Sequence, residues 1–429
     1  MSTSMQTGVG PIQTGRRELH RYTLFSILVI AWMTCMLDRS AIAYGIIPMQ
    51  KEFHLDPAAV GLVFSVFFWG YVLVSVPAGW LCDKIGSKKI LVIAIVGFSV
   101  FTLGTGYAWS FASLIAVRFL FGIAEGPFPT AGQKAIAEYF PAQERVKASA
   151  IIQAATLFGN GAAPIIIVPL IVWIGWRAGF AAISVVGIII AIVMWFSFHE
   201  VNRNAVGRGE GTGKRDIVKA PFRAVCKNVF LWKVVVMFFG CAVILWSFNS
   251  WMPMYFVKTR GVNIMKMSYM AFLPYGVSGL TTIASGWLLQ GWFRGREKYF
   301  AALGMFGSVA CLLYMYADSG LTVRGALICW NLVYIFKSFT YAAAFTLPHM
   351  FLPKEVIGTS VGMINTASMI AGSIAPLMLG IIIKYSSYNV AFMVLSGFGV
   401  LSMLAALSIN KKETSVNFAS AAAAGAQRG

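Results

Sequence analysis

Five ionisable residues stand inside apolar stretches. Asp38 and Arg39 lie in LFSILVIAWMTCMLDRSAIAYGIIP, Arg118 and Glu125 in RFLFGIAEGPFPT, and Lys337 in NLVYIFKSFTYAAAF. A charge at the centre of a membrane-spanning helix costs at least ~2.5–3.5 kcal/mol, so such residues pair with one another or line a polar cavity. An arginine offers a planar fork that grips a carboxylate through two hydrogen bonds, and a lysine offers a point charge. A carboxyl group removed from water favours its neutral form and can therefore carry a proton. Together these residue types suit an anion-binding cavity beside a carboxyl group that can take up a proton, with no cofactor expected. Covalent catalysis is not indicated: His20, His54, His199 and His349 fall near loops or span ends, and there is no nucleophile motif or His/Cys/Asp cluster.

Depth along the helices suggests who meets whom. At 1.5 Å per residue, Asp38 and Arg39 lie roughly 12–14 Å below the outer end of their span, Arg118 roughly 12 Å and Glu125 roughly 22 Å. Neighbouring residues point about 100° apart, so Asp38 and Arg39 cannot face each other. The expected arrangement is an ion pair between Asp38 and Arg118, with Arg39 aimed at the cavity. Glu125 sits nearer the midplane as a proton or substrate site. Matching YFP at 139–141 with FLP at 351–353 sets Lys337 at the position of Glu125 in a second repeat. An acid and a base are thus expected at similar depth across one cavity. Tyr44, Tyr71, Asn160, Asn249 and Asn365 are the uncharged polar candidates. Trp246, Tyr275 and Trp330 are aromatics that either flank a cavity or simply pack.

The elements that position these residues are long apolar spans. Of 429 residues, 58% are hydrophobic and 11% charged, and the mean hydropathy is +0.75. Soluble domains carry about 25% charged residues, so this is an all-α, multi-pass membrane chain. Stretches long enough to cross a bilayer lie near 22–47, 59–81, 88–108, 110–137, 146–171 and 177–198. A second set lies near 230–256, 268–290, 299–317, 323–348, 356–383 and 388–409. The expected organisation is an N-terminal tail (1–21), a six-helix bundle (22–198), a linker (199–229), a second six-helix bundle (230–409) and a C-terminal tail (410–429). The Gly- and Lys/Arg-rich linker suits a flexible segment with a short amphipathic helix near 215–225. Six spans, a linker and six more is the layout of a transporter built from two parallel repeats.

The net charge of +19 reflects topology, not nucleic-acid binding. Most Lys and Arg fall in the tails, the linker and alternate loops, including Arg16, Arg17, Arg21, Lys84, Lys88, Lys89, Arg145, Lys147, Arg294, Arg296 and Lys298. By the positive-inside rule both termini face the cytoplasm. Trp109 and Trp173 suit the interfacial belt. The six cysteines lack metal or disulfide spacing, and the polar first 20 residues do not read as a cleaved signal peptide.

After the second span comes GWLCDKIGSKK, which places Gly79, Asp83, Gly86 and Lys89 at the spacing GxxxDxxGxxK. Physically, Gly79 permits close helix contact, Asp83 caps a helix of the other bundle or binds its arginine, Gly86 makes a tight turn, and Lys89 anchors the loop. This resembles the loop signature of the major facilitator superfamily. The later GWLLQGWFRGREK keeps Gly286 and the basic tail but has Gln290 in place of the acid. LDRSAIAYGIIPMQKEF, RFLFGIAEGPFPT, GWRAGF, WMPMYF and GMINTASMIAGSIAP together resemble the anion:cation symporter family, which includes bacterial sugar-acid and organic-anion permeases. The resemblance departs at Ser75, where relatives commonly carry Gln four residues after the span-2 Tyr.

The resemblance implies a monomeric major facilitator fold in the bacterial inner membrane that imports a small carboxylate with protons. Arg39, Tyr44, Tyr71, Asn249 and Asn365 would contact substrate, joined by Lys337, which the repeat comparison adds and the family match does not supply; Asp38, Arg118 and Glu125 would couple protons, and Gly79, Asp83, Gly86 and Lys89 would form a gating loop. The alternatives are an anion exchanger or uniporter and, less well matched, a drug/proton antiporter. For the last, GNGAAPIII in span 5 lacks the GPxxGG-like run.

Overall fold

A computed structural model describes residues 11–198, 225–318 and 320–410. Residues 199–224 of the linker, with most of the amphipathic helix expected near 215–225, lie outside the described residues, as do positions 1–10 and 411–429 of the tails. The first half comprises α1 (Pro11–Glu52), α2 (Pro57–Ile85), α3 (Ser87–Gly106), α4 (Phe111–Glu125), α5 (Pro127–Tyr139) and α6 (Ala142–Ser197). The second comprises α7 (Val229–Lys258), α8 (Ile264–Gln290), α9 (Glu297–Ala317), α10 (Val323–Phe351), α11 (Lys354–Tyr385) and α12 (Tyr388–Leu407). A bilayer core offers the backbone no water, so apolar spans satisfy their N–H and C=O groups internally as helices.

The elements do not map one to one onto the expected spans. Span 4 is divided into α4 and α5 at Gly126–Pro127, because Pro127 has no N–H for the ladder. Spans 5 and 6 form the single element α6, bent at Gly175, whose φ of 82° is open to glycine at little steric cost. Helix α1 continues past both expected ends of span 1. Ten helical segments among the described residues are long and apolar enough to cross a membrane. The segment Gln143–Ser197 counts twice across its bend, and α8, with 27 residues, is long enough to span though less apolar than these.

Helix starts follow local capping chemistry. Asp56 caps α2 by accepting from the Ala59 N–H at 2.8 Å, with Pro57 at the first helical position. Ser110 and Ser113 exchange reciprocal bonds at the start of α4, while Asn228, Thr322 and Ser387 cap α7, α10 and α12. Each such cap contributes about 1 kcal/mol.

Side-chain contacts set the directions. Arg21, Trp32 and Ser40 of α1 meet Glu144, Thr156 and Asn160 of α6, so the two run parallel. Beyond the Gly175 bend the chain runs back along α3: a Cβ on Gly106 would meet Arg177, one on Gly187 would meet Ser99, and Lys88 lies over Trp195. Between the halves, α2 packs on α11, α6 on α8, and α1 on α7. Advancing by six spans turns the first of these pairs into the second, which is what a two-fold arrangement of repeats requires.

The seal between the halves centres on α2 and α11. A Cβ on Gly61 would lie 2.6 Å from the Pro376 carbonyl, and one on Gly380 would press on the Pro57 carbonyl. Pro376 opens the α11 ladder, and partners on α2 and α7 take up the backbone groups around it. Trp69 donates to the Ser373 carbonyl (3.3 Å), Trp251 to the Pro376 carbonyl (3.0 Å), and the Leu377 N–H to Ser65 Oγ (3.1 Å). An Asp56–Lys384 ion pair (2.8 Å) and a Lys258–Gln50 hydrogen bond complete this end.

Candidate functional site

A cavity of about 380 Å³ lies on the linker side of this seal, within the range typical of ligand pockets. Arg39, Gln153 and Asn160 line it from the first half, and Trp246, Asn249, Lys337 and Asn365 from the second. A smaller pocket of about 50 Å³ is lined by Tyr44, Ser40 and Arg118 and shares Arg39, Asn160, Trp246, Asn249 and Tyr275 with the larger one. The lining follows helical phase. Gln153, Thr156, Leu157 and Asn160 form one face of α6, Tyr334, Lys337 and Tyr341 one face of α10, and Asn365, Ser368 and Met369 one face of α11.

The ion pair at the site differs from the expected one. Glu125 is fully buried and pairs with Arg39, whose side chain is 14% exposed in the cavity wall. Neither Asp38 oxygen makes a hydrogen bond, and the Asp38–Arg118 ion pair is absent among the described residues. Asp38 is turned instead toward Thr102 of α3, and the Arg118 guanidinium lies 4.6 Å from the Phe121 ring and 5.4 Å from Phe67. Arg39 sits 5.1 Å from the same Phe67 ring and 5.2 Å from Tyr71. The reason is the length of α1, which runs to Glu52 and so sets Arg39 about 20 Å below its outer end, near the depth of Glu125; a long arginine side chain covers the rest. Cation–π contact lets aromatic faces hold Arg118 where no carboxylate does.

A second expectation is also corrected. Lys337 does line the cavity, but Glu125 does not face it across the same space; Glu125 lies behind Arg39 and is connected to the cavity through it. Lys337 is 5% exposed, with Nζ 3.4 Å from Ser278 Oγ and 4.3 Å from the Tyr334 ring centre.

The other candidates divide. Tyr44 is buried in the wall of the small pocket. Asn249 lines both pockets, and its side-chain oxygen accepts from the phenols of Tyr275 (3.2 Å) and Tyr334. Asn160 accepts from Ser40 and donates to the Thr156 carbonyl, both at 2.9 Å. Tyr71 stands outside both linings, beside Arg39. Ser75 donates to the Tyr71 carbonyl at 2.6 Å and so serves its own helix. Trp246 and Tyr275 line the cavity, whereas Trp330 packs in the core, stacked on Phe256.

The loop residues lie away from the cavity. Gly86 makes the turn with φ 103°. Asp83 pairs with Lys134 of α5 at 2.6 Å, within its own half, where a partner in the other half was expected. That lysine holds the exposed Asp83 carboxyl below its usual range. Lys89 is exposed beside this turn. A Cβ on Gly79 would meet nothing within 4 Å, so Gly79 does not serve the expected close approach; on α2 that role falls to Gly61 and Gly70. Gln153, Tyr334 and Tyr341 went unidentified in the sequence. A polar residue in an apolar run would have singled out Gln153, and spacing of three and four from Lys337 would have found the two tyrosines.

Among the described residues, long apolar helices in two halves meet around a charged cavity, the architecture of a multi-pass membrane protein. Residues 28–376 match the Major Facilitator Superfamily, and the chain belongs to that superfamily of transporters, not to an enzyme family. It is 29% identical to a probable galactarate/D-glucarate transporter of Bacillus subtilis, over 92% of each chain. It is 26% identical to a D-galactonate transporter of Escherichia coli, covering 92% of this chain and 96% of the relative. A probable sulfoacetate transporter of Cupriavidus necator is also 26% identical, with 91% and 94% covered. In fold, the chain superposes with a TM-score of 0.78 on a bacterial homologue of the human lysosomal transporter Spinster in its inward-facing and occupied conformation, at 16% identity and covering 94% and 98% of the two chains.

Proposed function

We propose that this protein imports an organic, sugar-acid-like carboxylate with protons, by alternating access across a bacterial inner membrane. On this reading it is a monomer with both termini in the cytoplasm, and the seal between α2 and α11 closes the outer side. The observation that carries the reading is Arg39, a cation in the cavity wall whose counter-charge is the enclosed Glu125. The kinship with sugar-acid and sulfoacetate transporters supports a small anion as cargo.

The cycle follows from charge. With Asp38 and Glu125 ionised, the first half holds two acids and two arginines. A proton on Glu125 releases Arg39, whose fork then takes the substrate carboxylate. A proton on Asp38 removes one of the two buried negative charges near Arg118 and adds positive potential. Tyr44, Asn249 and Asn365 supply hydrogen bonds to the rest of the molecule, Lys337 meets its far side, and Tyr71 steadies Arg39. Bound anion offsets the buried cations, which lowers the cost of moving the halves past each other. Proton loss at the cytoplasmic face restores the Arg39–Glu125 pair and displaces the anion. The turn at Gly79, Asp83, Gly86 and Lys89, tied to Lys134, latches spans 2 and 4 during that movement.

The test is uptake into proteoliposomes of galactarate, galactonate and glucuronate with an inward proton gradient. Accumulation that falls to the equilibrium level when the gradient is collapsed is the expected result. Uptake indifferent to the gradient would replace symport by exchange or uniport.

A further inference from the structure

Lys337 is a cation in the cavity wall that pairs with no acid among the described residues. An ammonium group carries three donors. Its one hydrogen bond runs to Ser278 at 3.4 Å, and that hydroxyl is already shared with Ser338 at 2.9 Å. The Tyr334 ring lies beneath it, and the phenol of that ring is committed to Asn249. Among the described residues no carboxylate lies within ion-pair distance of Nζ. Arg39 enters the same cavity from the opposite half, with Nε unpartnered. Two cations therefore face one space from its two walls, and among the described residues Arg39 is paired with a carboxylate while Lys337 is not.

We infer that Lys337 is a second anion subsite and that the preferred substrate is a dianion, one acid group on Arg39 and the other on Lys337. This rests on the carboxylate-transport reading above and narrows it. A monoanion on Arg39 leaves Lys337 buried without a counter-charge, which is costly at low dielectric. A dianion meets both. Charge balance points the same way. With both acids ionised the five charges sum to one positive, so a monoanion balances them without any proton. A dianion balances them once one proton has entered, which links this cargo to the proton that frees Arg39.

The cavity says less about the frame between the two acid groups. Several hydroxyls that line it are already donated: Thr156 to the Ile152 carbonyl, Thr282 to the Ser278 carbonyl, and Tyr275 to Asn249. Hydroxylated and bare six-carbon frames are therefore both probes.

The experiment measures binding to the purified full-length protein by calorimetry, using galactonate against galactarate and hexanoate against adipate. Each pair shares a carbon count and differs by one carboxylate. In at least one pair the diacid should bind tighter by on the order of tenfold or more, the range of a charge-assisted hydrogen bond. Lys337→Gln should remove most of that advantage by weakening the diacid more than the monoacid, and Lys337→Arg should keep most of it. Equal affinities for monoacid and diacid in both pairs would overturn the dianion and leave carboxylate transport standing. An equal loss of both acids in Lys337→Gln would reduce Lys337 to a structural role and overturn the subsite. Binding of none of the four overturns both readings. If Lys337→Gln does not fold, the wild-type pairs and Lys337→Arg decide.

Discussion

The first half brings Asp38, Arg39, Arg118 and Glu125 to the level of the cavity, whereas the second presents Lys337 among phenols, amides and hydroxyls. The pseudo-repeat sets Glu125 and Lys337 at matching positions, yet their surroundings differ in kind. Glu125 is enclosed behind a cation of its own half, while Lys337 stands in the wall beside uncharged groups. The first half can thus change its charge without a ligand, because its acids and bases sum to zero in one protonation state and to a positive value in another. The second half presents a buried lysine that pairs with no carboxylate among the described residues and that a ligand's acid group would answer. Two copies of one fold have come to divide switching from recognition, on the reading proposed above.

The comparison breaks first at Glu125. Glu125→Gln leaves Arg39 a neutral partner of nearly the same shape and removes the switch. Concentrative uptake should fall to the level of empty liposomes, while exchange of labelled for unlabelled substrate persists. If accumulation is retained in full, the switch lies elsewhere in the first half, with Asp38 the next group to replace. The next largest effect is expected from Arg39→Lys, which keeps the charge but loses the planar fork and its contact with Phe67 and Tyr71. Affinity for the preferred acid should drop on the order of ten- to a hundred-fold, read by calorimetry. Near-normal affinity would remove Arg39 from the substrate.

How much of this the sequence could show depends on the kind of contact. The spans are legible because apolar length is a property of the chain itself, and the buried charges are legible because they interrupt it. The helix break at Pro127 and the bend at Gly175 depend on single residues whose meaning is set by neighbours, so the spans there join and divide differently from the elements. The pairing of Arg39 with Glu125 was not legible, since depth counted from the end of an apolar run misses the stretch by which α1 continues to Glu52, and a long side chain covers the rest. For Gly79 the motif was legible and its physical role was not. What a glycine admits depends on the helix opposite, and at Gly79 there is none within reach. The repeat singled out Lys337, which lines the cavity, but that it pairs with no carboxylate among the described residues could not be read from the repeat.

The seal gives a smaller and more mechanical test of how the halves meet. A Cβ on Gly61 would press on the Pro376 carbonyl at 2.6 Å and on the Leu377 Cα at 2.9 Å, both backbone atoms that cannot swing aside. Gly61→Ala should therefore push α2 and α11 apart and shift the protein toward the state open on that side. Labelling of a single cysteine introduced at Ser40, in the wall of the small pocket, should become faster to a reagent added from outside. An unchanged labelling rate would mean that the helices part elsewhere, with Gly380 against Pro57 the contact to test next.

The smallest effect is expected at the rim of that seal, where Asp56 pairs with Lys384 and both remain partly exposed to water. The lysine and the Ala59 N–H hold the Asp56 carboxyl below its usual range. The sign follows from that direction. A depressed carboxyl contributes its ion pair fully above its ordinary range and loses it only as the pH falls through the lowered value. Between about pH 5 and 8, well above the range of an ordinary aspartate, the pair therefore adds a constant bias toward closure and no pH dependence. Asp56→Asn should shift the balance between the two conformations by no more than a few-fold, as exposed ion pairs are weak. It should also leave the shape of the pH profile of uptake over that window unchanged. A profile that moves with Asp56→Asn would place part of the proton response at the seal and weaken the assignment of switching to the core of the first half.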